Sequence, residues 1–131
     1  MLGNTWWALK TNLPPERRKA LLLWLNGSLS LLAFFGGRVV TQGAWMQMKK
    51  PAWVAMPVLD VRTLHDDQVA SLAAAYDALC DRELQALAKL NVDPVRSAVD
   101  DALSAALGLP DLTPVRAMLA REPGLTGKAM V

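Results

Sequence analysis

The chain of 131 residues has one histidine, one cysteine and one tyrosine. A lone Cys80 cannot close an internal disulfide, and its helical spacing with Tyr76, Leu79 and Leu84 places it as a buried structural thiol, consistent with a reducing, cytoplasmic setting. With His65 the only histidine, zinc sites of the usual histidine and cysteine types lack ligands. The longest apolar run, Ala20 to Phe35, spans sixteen residues and is interrupted by Asn26, Gly27, Ser28 and Ser30. A spanning helix needs about 20 mostly apolar residues, so no membrane is expected as a partner. Glu16-Arg17-Arg18-Lys19 ahead of this run only superficially resembles the start of an export signal. Gly36-Gly37 lacks the spacing and the following lysine of a phosphate loop. Ser28 and Ser30 have no base beside them in the sequence. Asp66-Asp67 and Asp100-Asp101 are neighbours on helices, where side chains diverge by about 100°, so both pairs read as solvated helix faces. These absences leave no constellation for catalysis.

What the chain does have is core-forming material and an uneven charge distribution. Its length suits one domain able to bury a core, and 53% hydrophobic with 20% charged residues fits a globular chain. Residues 1–50 hold seven basic side chains against Glu16 alone, a net +6, whereas residues 51–131 hold seven basic and eleven acidic, a net −4. A basic half beside an acidic half is expected of a nucleic-acid binder. Scattered lysines and arginines around a solvated helix start give the same count, and both readings stand on charge alone.

The element pattern predicts an α+β fold that is mostly helical: an apolar helix plus a small β-hairpin or short strands, followed by three helices. Residues 1–62 form the helix and short-strand part, and residues 63–131 the helical part packed on it. Met1 to Leu13 suggests a short strand. Pro14-Pro15 starts a helix that runs to about Phe35, with Glu16 suited to its first turn. Gly36-Gly37 stops it, and Arg38 to Gln42 is β-branched enough for a strand or extended loop. From Ala44 to Lys50 the residues alternate, Met46 and Met48 on one side, Trp45, Gln47 and Lys49 on the other. A helical turn near Trp53-Val54 and a brief strand over Pro57–Val61 follow. A long helix is expected from Asp66 to Leu90, capped near Thr63, with Val69, Leu72, Ala73, Tyr76, Leu79, Leu84 and Leu87 on one stripe. A second begins at Asp93-Pro94 and ends before Gly108, with Val95, Ala98, Val99, Ala102 and Ala106 inward. A third begins at Thr113-Pro114, buries Val115, Met118 and Leu119, and stops before Pro123.

The order of motifs carries a resemblance. Leu22-Leu23-Trp24-Leu25-Asn26-Gly27-Ser28-Leu29 is similar to a leucine-rich helix with an asparagine-serine core. Arg38 to Trp45 then offers an arginine-threonine-glycine-aromatic loop, Met48-Lys49-Lys50-Pro51 a lysine-pair step, and Met56-Pro57-Val58-Leu59-Asp60 a proline-flanked strand. This succession resembles the C-terminal target-recognition region of adenine-specific DNA methyltransferases of restriction-modification systems, which is related to type I specificity subunits. The sequence departs from that pattern in two ways. Gly27 stands inside the asparagine-serine pair, and the methylation motif Asn/Asp-Pro-Pro-Tyr is missing. Leu13-Pro14-Pro15-Glu16 lacks both the leading amide or carboxylate and the aromatic that would stack a flipped adenine. No glycine-rich loop for S-adenosylmethionine is visible.

The resemblance therefore implies recognition without catalysis, in a fragment or a detached module. S-adenosylmethionine is expected only in a fused or partner catalytic domain, and no cofactor or metal in this chain. The expected partners are duplex DNA and a methyltransferase domain or subunit. Arg38, Lys49 and Lys50 are expected on phosphates, and Thr41, Gln42, Trp45 and Gln47 near base edges or backbone. The alternative is a helical module that docks on a partner protein through the Ala20–Phe35 helix and the tryptophans, without DNA.

Overall fold

The computed structural model describes residues 10–36, 39–40, 46–47 and 57–122. Five α-helices lie among them: α1 (Pro15–Leu25), α2 (Ser28–Gly36), α3 (Asp66–Leu79), α4 (Pro94–Leu107) and α5 (Thr113–Leu119). A single 3₁₀ turn, Leu87–Lys89, lies between α3 and α4. The expected α+β class is thereby corrected to a helical fold. The one extended pairing among the described residues sets Val39 opposite Gln47 and Val40 opposite Met46, antiparallel. Two residues a side is shorter than a normal strand and adds no sheet layer, since an isolated hairpin is marginal even at full length. Nor is Pro57–Val61 a strand: residues 57–60 are irregular and a turn begins at Val61. The expected strand over Met1–Leu13 and the turn near Trp53 lie wholly or mostly outside the described residues, and Lys10–Pro14 is irregular.

The apolar run, expected as one helix to about Phe35, forms two, α1 and α2. Pro15 occupies the first turn of α1, where its missing N–H costs nothing. At the other end Asn26 closes the helix twice over, its backbone N–H reaching the Leu22 and Leu23 carbonyls and its side-chain amide donating to Leu22 O at 2.8 Å. Gly27 permits the restart at Ser28 because a Cβ there would stand 2.7 Å from Leu103 Cδ1 and 3.2 Å from Trp24 O. A side chain would prevent this approach of the α1–α2 break to α4.

The main core joins residues from both ends of the chain. Ala20 and Leu23 of α1 pack with Val61, Leu72 of α3, and Val99 and Leu103 of α4. Each fully buried leucine of this kind contributes about 1.5–3 kcal/mol. A second cluster of Leu90, Leu119 and Ala120 receives Leu31, Leu32 and Phe35 from α2. Met118, expected inside, is 40% exposed on α5.

Helix α3 stops eleven residues before the expected Leu90. The stripe periodicity continues through Leu84 and Leu87, but the chain turns after Leu79, where Arg82 N donates to Leu79 O, and Asp93 Oδ2 then accepts from Gln85 N at 2.8 Å. The other oxygen, Oδ1, caps α4 by accepting from Val95 N and Arg96 N. One carboxylate thus starts a helix and holds the chain that leads into it. With α3 ended at Leu79, Cys80 is exposed rather than buried. The cap of α3 is also displaced from Thr63 to His65, whose N–H donates to Gln68 Oε1 at 2.9 Å. The predicted cap of α4 at Asp93 and its stop at Gly108, which adopts φ +70° as the C-cap, agree with the structure.

Candidate functional site

The expected DNA-contacting residues fall between α2 and α3. Arg38, Thr41, Gln42, Trp45, Lys49 and Lys50 lie outside the described residues. Gln47 stands opposite Val39 in the short antiparallel pairing.

The structure defines what holds the helix ahead of this segment and the turn that follows it. The first N–H of α2 is captured from inside the bundle. Ser28 N donates to Asp100 Oδ1 at 2.9 Å and Ser28 Oγ donates to Asp100 Oδ2 at 2.5 Å. A carboxylate at a helix N-terminus satisfies unpaired donors and favours the positive end of the helix dipole. Here it comes from α4. The same carboxylate takes a charge-assisted bond from Arg116 Nη1 of α5, 2.7 Å from Oδ2. Arg116 in turn is oriented by Nη2 donating to Thr113 Oγ1 at 3.0 Å and more weakly to Ser97 Oγ at 3.4 Å. Thr113 is fixed by Asp111, whose Oδ1 accepts both its N–H and its hydroxyl. Those two bonds hold the Asp111 carboxyl below its ordinary pKa.

Arg17 of α1 reaches across to the turn ahead of α3. Its Nη1 donates to Val61 O and to Leu64 O, and its Nη2 lies 3.4 Å from the exposed Asp66. Arg62 and Asp60 close the same turn as a bidentate pair, which raises the Arg62 pKa and lowers that of Asp60. Nearby, Lys19 pairs with Asp77 of α3 at 2.8 Å, and this bond raises the Lys19 pKa. Both are surface pairs whose net contribution is small.

The buried Ser28–Asp100–Arg116 cluster was not legible as such in the sequence. Its Asp100 was expected on a solvated face, and the structure corrects this: Asp100 is 1% exposed while Asp101 is exposed. One local signal existed, since Asp100 lies three positions before Leu103 and so falls on the buried stripe of α4. The cluster is built for holding helices together. Ser28, Asp100 and Arg116 are each no more than 4% exposed, and Ser28 has a carboxylate and no imidazole beside it. Among the described residues no three His, Cys, Asp or Glu side chains are gathered for a metal ion. No helix there is long and apolar enough to cross a membrane.

Comparisons of the chain with protein-family models, with curated proteins and with solved structures find no match. The resemblance to methyltransferase recognition regions therefore rests on the quoted motifs and their order.

Proposed function

We propose that this chain is a non-catalytic DNA-recognition module, with the helices as support and residues 37–56 as the reading surface. The observation that carries the reading is charge segregation along the chain. From Gly37 to Met56 there are three cations, Arg38, Lys49 and Lys50, and no acidic residue. The helical part from Pro57 to Glu122 holds eleven acidic and six basic side chains. Several of those carboxylates are engaged within the fold, as Asp60, Asp77, Asp93, Asp100 and Asp111 illustrate. A duplex would be drawn to the basic segment and turned away from the acidic helices.

On this reading Arg38, Lys49 and Lys50 contact phosphates, and Thr41, Gln42, Trp45 and Gln47 approach base edges or backbone. Methyl transfer, and S-adenosylmethionine with it, belongs to a fused or partner domain in the cytoplasm. The competing protein-docking reading needs a free apolar face on the Ala20–Phe35 stretch. That face is largely spent inside, on the two clusters that take up Ala20, Leu23, Leu31, Leu32 and Phe35.

The test is duplex-DNA binding by fluorescence anisotropy across a salt series. A steep loss of affinity with salt is expected, and Arg38→Ala with Lys49→Ala should flatten the log–log slope by up to about two. Absence of binding at low salt would overturn the DNA reading.

A further inference from the structure

A recess of about 180 Å³ opens between α1, the end of α3 and the start of α4. Its walls are apolar, formed by Leu22, Leu23, Leu79, Leu84, Val95 and Val99. The remaining lining is polar: Asn26, Tyr76, Cys80 and Arg82. We propose that this recess binds a small monocarboxylate with an apolar tail, the tail among the leucines and valines and the carboxylate on Arg82. The proposal stands apart from the DNA reading, since none of these residues belongs to the basic segment.

Size sets the tail. A cavity of roughly 150 Å³ lined by aliphatic side chains accommodates benzene, so this recess holds about one ring or a chain of about six carbons. Charge sets the head group. Arg82 is the one charged residue of the lining, and no carboxylate joins it there. Its guanidinium has no partner among the described residues, where only its backbone N–H is bonded, to Leu79 O. Tyr76 also lines the recess, and its hydroxyl is without a hydrogen-bond partner among the described residues. The amide of Asn26 is already used on Leu22 O. A guanidinium in the lining of an apolar recess matches a carboxylate with a short hydrocarbon tail, and matches neither an amine nor a neutral alcohol as well. Asp81 and Glu83 flank Arg82 in sequence but are exposed and do not line the recess.

The sole cysteine supplies the readout, because Cys80 is exposed and lines the recess. Alkylation of Cys80 by iodoacetamide is followed by mass spectrometry on the full chain with increasing hexanoate, and amide chemical shifts are recorded on the same samples. Hexanoate should slow alkylation saturably, with shifts at Leu79, Leu84 and Val95, and 1-hexanol and hexylammonium should be about tenfold weaker or worse. Arg82→Ala, a substitution at an exposed position, should raise the half-saturating hexanoate concentration by about tenfold. Leu84→Trp, which fills the recess, should remove protection. Absence of protection and of shift changes up to tens of millimolar hexanoate would overturn the proposal, the concentration scale being that of a ligand with few heavy atoms. Equal binding of hexanol, or an unchanged response in Arg82→Ala, would also overturn it.

Discussion

Arg116 and Asp100 meet 2.7 Å apart in the interior, their side chains 5% and 1% exposed, and the carboxylate they share with Ser28 joins α2, α4 and α5. Removing the cation leaves a buried charge uncompensated. Arg116→Met should therefore cost about 3–5 kcal/mol in urea denaturation. Adding Asp100→Asn, which keeps an acceptor for Ser28 N and removes the charge, should return part of that loss. A single substitution costing under about 1 kcal/mol would show that water reaches the pair.

At Gly27 the constraint is space, since its φ is not positive. Gly27→Ala drives a methyl to 2.7 Å from Leu103 Cδ1, and Leu103 is only 1% exposed with little room to yield. A loss of about 1–3 kcal/mol is expected from overpacking. Trimming the neighbour in Gly27→Ala/Leu103→Val should cost less than the two single substitutions added together, a sub-additive result that thermal unfolding of the four variants would show.

Gly108 presents the opposite case. Nothing lies within 4 Å of a Cβ built there, and φ is +70°. Gly108→Ala should lose about 1 kcal/mol from the left-handed backbone alone, with Gly108→Asn losing less. Equal stability of the alanine and asparagine variants would point away from the backbone as the cause.

Asp60 and Asp111 both have pKa values held below the ordinary 3.8, the first mainly by its bonds from the Arg62 side chain and the second by those from Thr113. A carboxyl whose pKa is lower folded than unfolded stabilises the fold above the unfolded value and loses that contribution as pH falls through the folded one. Carbon-detected NMR titration should place both midpoints below 3.8, and the contribution should persist at pH 5 and fade only in stronger acid. Both groups are exposed, so the effect on stability should be small.

Local chemistry was legible and tertiary chemistry was not. Asp93-Pro94 and Gly108 delimit α4 through their own backbone demands, which any context must respect. Asn26-Gly27 interrupts the apolar run, but a single helix to Phe35 is expected through it because the close approach of Leu103 that demands Gly27 is tertiary. The stripe of Tyr76, Leu79, Leu84 and Leu87 continues without a breaker and so places Cys80 inside, whereas the chain turns directly after Leu79 and leaves it exposed. Asp100 was misread because its partners, Ser28 and Arg116, stand 72 and 16 residues away. The expected hairpin reduces to a pairing of two residues a side, because β-branched composition favours extended backbone without fixing its length. The basic segment shows itself only as a count of charges.

Asp100 fixes the start of α2, and Arg17 fixes the turn ahead of α3. Both ties join positions far apart in the chain, Ser28 with Asp100 and Arg17 with Val61, so the helices at the two ends of the sequence should unfold together rather than as separate halves.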